Sequence, residues 1–374
     1  MRQIKKKRRI LFLVPYPRDK APSQRLKFEQ YYSHFEEAGF EVHTSSFVGE
    51  TFWKVIYQKG HWIHKFFYTC AGYFKRMKDI FRLAEYDVVY VHLWVTPFGI
   101  PFFEWLICRL SRRVIYDIDD LVYLAESKSA VNKLIAGIKG KGKPIYLMKN
   151  ADHVITCTPY LDQFVRQYNL QTTDISSTIN TEKYHPKSDY SIVNRPVILG
   201  WSGSHSTSKY LYLLEPVFRK LQQEGIAFRL LIMGDADFKI EGIATEALSW
   251  EDSYETEVIG RFDIGLYPLP DEQWVYGKSG LKALQYMAAG VPTIATAIGT
   301  NFRIMEHGKT GFLAKEEKDW LKYIKLLIID GQLRQRMGAA GASMVEEKFS
   351  IHANKDTYLH IVQQVAPAAR TSHF

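Results

Sequence analysis

The sequence predicts an α/β protein with two consecutive Rossmann-like domains, whose parallel sheets would face each other across a cleft. The chain has 374 residues, which is long for a single hydrophobic core. Short apolar runs recur along it, and polar loops and amphipathic stretches follow them. Runs that do not alternate with polar residues are typical of parallel strands covered on both faces by helices.

The expected elements fall into two series. In the first half, strands are predicted at residues 9–14, 42–44, 87–92, 114–118 and 153–158, with a helix at 23–37. In the second half, strands are predicted at 197–201, 228–233, 263–267 and 292–296, with a helix at 209–223. The polar, proline-bounded segment 185–196 is predicted to link the halves. We therefore expect domains at 1–190 and 191–350, followed by a C-terminal segment at 351–374.

Composition narrows the class of protein. With 46% hydrophobic and 24% charged residues, the chain resembles globular proteins. Its three cysteines are widely spaced, which indicates a reducing compartment rather than a disulfide framework or a metal site. The apolar run at 10–14 is too short for a signal peptide, and prolines interrupt the run at 88–103. We therefore expect a cytoplasmic protein that does not span a membrane.

Positive charge is concentrated in the first half of the chain. Residues 1–200 contain 30 Lys and Arg against 19 Asp and Glu, a net charge of +11, whereas residues 201–374 have 19 against 21. This asymmetry suggests an anionic surface as partner, and the absence of a recognition module disfavours nucleic acid. Segment 51–83 interleaves aromatic and cationic residues. It is predicted either to lie at a membrane interface or to form amphipathic helices packed on the sheet.

Small and cationic residues follow several strands of the second half, where ligands bind in such sheets. Gly203 and Ser204 follow one strand, with Lys209 nearby, and Gly234 follows the next. Further on, a loop is predicted to enter a helix that carries cations in its first turn. The candidate residues of this loop and helix are Lys278, Ser279, Gly280, Lys282 and Gln285.

The start of that helix is predicted to bind an anion. Backbone N–H groups and the helix dipole favour negative charge there, and lysines four residues apart share one helical face. We expect a phosphate or diphosphate as the ligand. The G-x-G-x-x-G spacing is absent, which makes a nicotinamide dinucleotide less expected. An ordinary helix start with solvated lysines stays the alternative at this point.

Carboxylates cluster at the end of a predicted strand in the first half. Asp117, Asp119 and Asp120 lie within four residues, and such a group could hold a metal, act as a base or bind sugar hydroxyls. The alternative is that one of them caps the next helix. His92 ends a neighbouring strand, and Arg25 lies at the opening of the first helix, where it could meet a phosphate or an acidic acceptor.

Taken together, these motifs resemble the GT-B glycosyltransferases of family 4 over nearly the whole chain. The strongest stretches are 262–270 (FDIGLYPLP) and 277–292 (GKSGLKALQYMAAGVP), supported by 10–17, 22–25, 116–120 and 200–204. The resemblance implies a nucleotide-diphospho-sugar donor on the C-terminal domain and an acceptor on the N-terminal domain. It also implies retention of anomeric configuration, with no cofactor and no bound metal. A C-terminal helix within 351–374 that returns to the first domain is a further implication of the resemblance.

The resemblance also implies roles for individual residues. Lys282, with Lys278, would stabilise the leaving diphosphate, and Gly203 and Ser204 would line the donor site. Asp117 and Asp119 stand where related enzymes keep a catalytic side chain near the sugar, and Arg25, His92 and Asp120 are expected on the acceptor side. Two glutamates common in the family are replaced by Gly277 and Gln285. This replacement points to a lysine-bearing subgroup in which Gln285 binds the ribose.

The sequence therefore predicts a retaining glycosyltransferase of cell-surface polysaccharide synthesis. It would use a glycan or lipid-linked acceptor and work peripherally on an anionic membrane at the inner face of the plasma membrane. Two alternatives stay open. One is a GT-B nucleotide-sugar epimerase or hydrolase, and the other is a non-catalytic subunit that binds nucleotide or glycan.

Overall fold

The computed structural model describes residues 7–56, 58, 60–119, 142–192 and 194–366, and the chain divides into two compact units. Unit 1 comprises Met1–Ser176 and Asn354–Phe374, and unit 2 comprises Ser177–Ala353. Each unit has its own parallel sheet, which confirms the predicted α/β class with two Rossmann-like domains. The domain limits at residues 190 and 350, and the assignment of donor and acceptor to them, stay predictions.

In the described part of unit 1, six parallel strands are arranged in the order β2-β1-β3-β4-β5-β6. They are β1 (Arg8–Val14), β2 (Phe40–Ser46), β3 (Val88–His92), β4 (Val114–Asp117), β5 (His153–Thr156) and β6 (Thr172–Asp174). β3, β4 and β5 are buried along their whole length, as expected for strands covered on both faces. β6 was not predicted, because its polar sequence gives no apolar run at this edge of the sheet.

The described helices of unit 1 lie between these strands. They are α1 (Pro22–Arg25), α2 (Tyr32–Glu37), α3 (Glu50–Ile56), α4 (Trp62–Arg82), α5 (Phe102–Leu110), α6 (Gly142–Asn150) and α7 (Pro159–Val165). The single helix predicted at 23–37 is wrong. The chain leaves α1 at Leu26 and passes through a 3₁₀ turn, Glu29–Tyr31, before α2 begins. The break allows both Lys27 and Phe28 to be buried, which one regular amphipathic helix would not do.

One face of α4 is anchored on the ends of β1 and β2. The buried guanidinium of Arg76 donates to the carbonyl oxygens of Val14 at 2.8 Å and Ser45 at 3.0 Å. Gly72 gives room for the Phe47 ring, which would lie 2.6 Å from a Cβ at that position. The described residues of segment 51–83 thus include the helices α3 and α4, and α4 packs on the sheet, which is one of the two arrangements expected for this segment. Among the described helices, none combines the length and apolarity needed to cross a bilayer.

The sheet of unit 2 is also parallel, with the order β12-β11-β10-β7-β8-β9. Its described strands are β7 (Val197–Ser202), β8 (Phe228–Met233), β9 (Thr245–Leu248), β10 (Ile264–Tyr267), β11 (Thr293–Thr296) and β12 (Phe312–Ala314). The four strands predicted from apolar runs correspond to β7, β8, β10 and β11. The edge strands β9 and β12 were not predicted, because short or only partly buried strands lack that signal.

The described part of the second half of the chain also contains eight α-helices. They are α8 (His205–Ser208), α9 (Glu215–Gln223), α10 (Glu255–Gly260), α11 (Leu281–Ala288), α12 (Asn301–Ile304), α13 (Glu317–Ile329), α14 (Gly331–Met344) and α15 (Ile351–Val365). The helix predicted at 209–223 begins as a 3₁₀ segment, Lys209–Leu214, and becomes α-helical at Glu215. The C-terminal helix expected within 351–374 is α15, whose residues from Asn354 onward belong to unit 1.

The described residues of segment 185–196 belong to unit 2, where ionic and hydrogen-bonded contacts hold them. Lys187 Nζ lies 3.2 Å from Asp263 Oδ1, and Arg195 Nη1 lies 2.6 Å from Asp263 Oδ2. Arg334 donates to the carbonyl of Tyr190. Burial opposes ionisation of Asp263, but Arg195, the Ile198 N–H and Lys187 hold the pKa of this carboxyl below its usual value. The carboxylate therefore ties the segment to the start of β10.

Removing this carboxylate tests its contribution to stability. Asp263→Ala leaves Lys187 and Arg195 without their shared partner, and we expect the free energy of unfolding to fall by about 3 kcal/mol. The matched control is Glu224→Ala, which breaks an exposed pair with Lys325 and should cost less than about 1 kcal/mol. Urea denaturation measures both. Equal losses in the two variants would contradict the assignment.

Candidate active site

The loops after β7 and β8 approach each other so closely that no side chain fits between them. Gly234 has a φ of +105°, and a Cβ built there would lie 1.6 Å from the carbonyl oxygen of Gly203. The Gly203 N–H donates to the Met233 carbonyl at 2.9 Å. Both glycines are predicted donor-site residues, and the structure brings them together at adjacent strand ends, where ligands bind in such sheets.

The side chain of Lys282, near the start of α11, packs against these loops. A Cβ on Gly203 would lie 2.4 Å from Lys282 Cε and 2.6 Å from the Trp201 ring. Lys282 Nζ lies 5.0 Å from the centroid of the Trp201 ring and donates to Thr207 Oγ1 at 3.2 Å. Gly203, Gly234 and Lys282 therefore meet from three segments of the chain. We call these three residues the glycine–lysine site.

The ammonium group of Lys282 has no carboxylate partner in the described part of the chain, and its nearest rings are those of Trp201 and Tyr267. Burial, reinforced by the charge of Lys278, lowers the pKa of Lys282 to about 7. A bound anion would supply the missing countercharge and favour the protonated form. The electrostatics of the site therefore suit a ligand that brings negative charge with it.

Lys278 is placed differently from the prediction. The helix starts after Gly280, whose φ is +75°, and Lys278 precedes it in an extended conformation. Lys278 and Lys282 therefore do not share a helical face, and that expectation is wrong. The physical reason is the 3₁₀ turn Gln273–Gly277 followed by a left-handed glycine, which delays the helix. Lys278 Nζ instead lies 5.4 Å from the ring centroid of Trp274.

Hydroxyl and aromatic groups border the glycine–lysine site. Exposed Ser204 precedes α8, and its hydroxyl lies 2.9 Å from Ser206 Oγ. Lys209 is exposed, with Nζ 5.4 Å from the centroid of the Tyr210 ring. Tyr210 in turn stacks on Trp274 at a centroid distance of 5.6 Å. This aromatic pair was not predicted, because its members are 64 residues apart in the chain and no local pattern connects them.

Two further predicted residues are held by contacts inside unit 2. Ser279 Oγ lies 2.7 Å from Ser177 Oγ. Gln285 is buried, and its amide donates to the Tyr184 hydroxyl at 3.1 Å. Direct contact of Gln285 with a ribose stays a prediction, whereas its contact with Tyr184 is part of the fold. Gly280 gives room for Ile304, which would lie 2.2 Å from a Cβ there.

His205, after β7, and Asp235, after β8, form an acid–base pair that was not among the predicted site residues. His205 Nδ1 lies 2.9 Å from Asp235 Oδ1, and the Ser208 hydroxyl donates to the same carboxylate. Contact with Asp235 raises the pKa of the exposed His205 ring. The position of Asp235 directly after Gly234, at a strand end, is the signal that could have found it. The pair stands beside the glycine–lysine site in sequence and adds a titratable group.

In unit 1, Asp117 forms a buried charged cluster. Its carboxylate pairs with Lys27, accepts from the Tyr90 hydroxyl at 2.7 Å and lies 3.3 Å from His92 Nδ1. Burial opposes the charge on both partners, but the pairing raises the pKa of Lys27 and holds the pKa of Asp117 below its usual value. Lys27 was not among the predicted site residues, because it lies in the segment 23–37 that was predicted to be a single helix.

The remaining acceptor-side candidates differ in accessibility. The Asp119 side chain is 18% exposed and lies 3.8 Å from Lys27 Nζ. His92 is fully buried, and its Nε2 has no hydrogen-bond partner among the described residues. Arg25 is half-buried at the end of α1. Asp120 lies outside the described residues. Asp119 is thus the described carboxylate of this cluster that reaches the surface.

Within the described ranges, no group of three or more His, Cys, Asp or Glu side chains is arranged to hold a metal ion. Asp117 and Asp119 share a lysine, whose positive charge occupies the place that a cation would take between them. The expectation that the chain needs neither metal nor cofactor stays a prediction.

Two variants separate the roles of the carboxylates in unit 1. Asp117→Asn leaves Lys27 buried without its countercharge, and we expect a loss of about 3–5 kcal/mol in the free energy of unfolding. Asp119→Asn, partly exposed, should cost less than about 1 kcal/mol. Chemical denaturation at neutral pH makes the comparison.

The pH dependence of the same variants gives a second measurement. Because the pKa of Asp117 is lowered by folding, its contribution is present above the ordinary carboxyl pKa. It is lost as the pH falls through the lowered value. The wild-type protein should therefore lose stability on acidification by a component that Asp117→Asn lacks. Parallel acid profiles for the two proteins would contradict a structural role for the pair.

Anion binding should charge Lys282, and calorimetry can count the proton. One pH unit above its pKa of about 7, Lys282 is mostly neutral, so binding of a nucleoside diphosphate should take up most of one proton. One unit below, the uptake should nearly vanish. Titrations in buffers of different ionisation enthalpy measure it, and Lys282→Met supplies the baseline from the ligand itself. Identical uptake in both proteins would exclude Lys282 as the group that titrates.

Most of unit 2 matches a known protein family in sequence. Residues 196–330 match the model of a family described as glycosyl transferases group 1. The matched residues contain all strands of unit 2 and the whole glycine–lysine site. No curated protein matches the chain in sequence.

Solved structures share the fold over nearly the full length. Sucrose-phosphate synthase from Thermosynechococcus elongatus aligns with a TM-score of 0.68 at 16% identity, covering 96% of this chain and 99% of that one. A glycosyltransferase from Rickettsia africae gives 0.68 at 15% identity, covering 97% and 99%. HepE from Anabaena in complex with UDP-glucose gives 0.66 at 16% identity, covering 95% and 99%. Residues 196–330 thus match the glycosyl transferases group 1, and the chain shares the GT-B fold of solved glycosyltransferases.

Proposed function

We propose that this chain is a retaining glycosyltransferase that moves a sugar from a nucleotide-diphospho-sugar to a glycan or a lipid-linked acceptor. Synthesis of cell-surface polysaccharide is the process in which we place it. The observation that carries the proposal is the convergence of Gly203, Gly234 and Lys282 at the strand ends of the family-matched segment. Retention is what the resemblance to family 4 implies.

The glycine–lysine site suits the diphosphate of the donor. The absence of side chains at Gly203 and Gly234 lets the two loops and the stem of Lys282 pack together, which holds the ammonium group at the strand ends where ligands bind in such sheets. When the bond to the sugar breaks, negative charge grows on the departing diphosphate, and a preorganised ammonium at Lys282 stabilises that charge. Lys278, Ser204 and Lys209 would add weaker contacts at the rim, since they lie at or near the surface.

Asp119 and Arg25 are the groups that we assign to the acceptor. The Asp119 carboxylate is partly exposed, and the buried ammonium group of Lys27, 3.8 Å away, stabilises its negative charge. Asp117, which is fully buried beside Lys27, would act as a positioning residue that fixes this strand end rather than as a group that touches substrate. Gln285 would act in a similar way through Tyr184.

The nucleotide that we would test first is UDP. The solved structures of HepE that share this fold are complexes with UDP, with UDP and glucose, and with UDP-glucose. Those ligands belong to HepE, and for this chain they support a nucleotide-sugar donor without fixing its base or its sugar.

We also place the protein peripherally on an anionic membrane at the cytoplasmic face. Support comes from the net charge of +11 in residues 1–200 and from the exposed apolar side chains of α4, including Trp62, Phe74 and Phe81.

A ligand panel followed by product analysis tests the proposed function. UDP, GDP, dTDP, ADP and CMP are compared by thermal shift on the wild type, on Lys282→Met and on Lys325→Met. Lys325 forms an exposed pair on α13 and serves as the matched control. A ligand at one hundred times its dissociation constant should stabilise the protein by about 2.7 kcal/mol. We expect one diphosphate to stabilise the wild type and the control, and Lys282→Met to lose most of this effect.

Product analysis with the matching nucleotide sugar then separates the possible reactions. NMR of the product should give the anomeric configuration of the donor, and transfer should need an acceptor. Sugar release or epimerisation without acceptor would instead support the epimerase or hydrolase. Nucleotide binding without any turnover would support the non-catalytic subunit. Absence of stabilisation by every nucleotide would contradict the proposed donor site.

A further inference from the structure

Unit 1 contains an apolar cavity of about 690 Å³ at the ends of three neighbouring strands. Tyr16 follows β1, Phe47 follows β2, and Trp94 follows β3, and all three side chains line it. Phe52 from α3 and Thr69 from α4 close the other side. The cavity thus occupies the edge of a parallel sheet where ligands bind, and its volume lies in the range of about 300–1,000 Å³ of small-molecule sites.

The cavity opens onto an exposed apolar face of α4. At 3.6 residues per turn, the most exposed large apolar side chains of this helix fall within an arc of about 140°. They are Trp62, Ile63, Phe66, Phe67, Phe74 and Phe81, each at least 64% exposed. Trp62 and Phe66 belong both to this arc and to the cavity lining. A chain-like ligand could therefore pass from the surface beneath α4 into the cavity without leaving apolar surroundings.

Positive charge accompanies this apolar surface. At the same helical spacing, Lys65 and Lys78 of α4 fall beside this arc. The other cations of α4 have partners, since Arg76 pairs with Asp79, Arg82 pairs with Glu85, and Lys75 donates to the Ser46 carbonyl. Lys65 itself lines the cavity, with Nζ 5.6 Å from the centroid of the Trp62 ring. Cations beside an aromatic and aliphatic face match an anionic headgroup attached to a hydrocarbon chain.

We infer that the cavity binds the hydrocarbon chain of an anionic lipid, and that this lipid is the acceptor of the glycosyl transfer. In that transfer an oxygen of the lipid headgroup forms a bond to the anomeric carbon as the bond between that carbon and the diphosphate breaks. The nucleoside diphosphate leaves and takes up any proton that the headgroup oxygen carried. The identification as acceptor rests on the proposed function, whereas binding of the lipid does not. A free glycan needs many hydrogen-bond partners, which a lining dominated by Phe47, Phe52, Trp94 and their neighbours does not supply. A flat protein surface would cover the arc of α4 but would not enter the cavity.

Binding of farnesyl phosphate, a short isoprenoid phosphate, tests the inference on the full chain. Equilibrium dialysis measures its affinity for the wild type, Thr69→Trp and Phe81→Ser. Thr69→Trp fills the cavity from the half-buried face of α4, and we expect it to weaken binding by about tenfold or more. Phe81→Ser changes the same helix outside the cavity and should keep the affinity for farnesyl phosphate.

Three further probes identify what is recognised. Inorganic phosphate should not compete, and farnesol should bind more weakly than farnesyl phosphate, because it lacks the charge near Lys65. Vesicles of anionic phospholipid should retain wild-type protein in co-sedimentation, and Phe81→Ser should reduce this retention. Thermal stabilisation by UDP, measured on the same proteins, checks that unit 2 is intact and reports on the donor site separately.

The outcomes are distinct. Undetectable farnesyl phosphate binding, or equal affinity in wild type and Thr69→Trp, would overturn the inference even if nucleotides bind. Binding of a protein partner to the apolar arc of α4, with no lipid bound in the cavity, would also overturn the inference. Binding of farnesyl phosphate without any nucleotide effect would sustain the lipid site and remove the proposed donor site instead.

Discussion

The proposed donor site depends on one steric condition, the backbone contact between the loops after β7 and β8. Gly234 can make this contact because it has no Cβ and adopts a positive φ, and Gly203 faces it with its own carbonyl. The space that remains is filled by the stem of Lys282 and the ring of Trp201. Because the lysine is enclosed by rings and loops instead of carboxylates, its charge depends on what binds. The close contact of these loops therefore determines both the shape of the site and the surroundings that control the charge of Lys282.

The cations discussed above differ in whether a carboxylate accompanies them. In unit 1, Lys27 and Arg76 have carboxylate partners, and their role is to hold loops and strand ends in place. In unit 2, Lys187 and Arg195 do the same for segment 185–196 through Asp263. Lys282 differs from all four, since no described carboxylate offsets its desolvation. A desolvated cation without a carboxylate partner indicates a position where a bound anion would stabilise the charge that the protein's own side chains do not.

The sequence predicted the elements that depend on local pattern. Central strands such as β3 and β7 are continuous apolar runs, and glycines after strands gave two of the three residues of the glycine–lysine site. It could not predict features that depend on distant partners. Lys27 looks like a surface lysine until β4 brings Asp117 to it, and the stacking of Tyr210 on Trp274 joins separate loops. The start of α11 was misplaced, because Gly280 permits a left-handed turn that pattern alone does not require.

The geometry of α4 also bears on how the protein behaves when it is isolated. Arg76 and Gly72 fix one face of the helix to the sheet, so the opposite face cannot rotate inward to shield its rings from water. Exposed apolar area of this kind lowers solubility and favours any association that covers it. Self-association would then rise with protein concentration and fall when mild detergent occupies the rings. The yield of monomeric protein in purification would thus be governed by a helix far in sequence from Lys282.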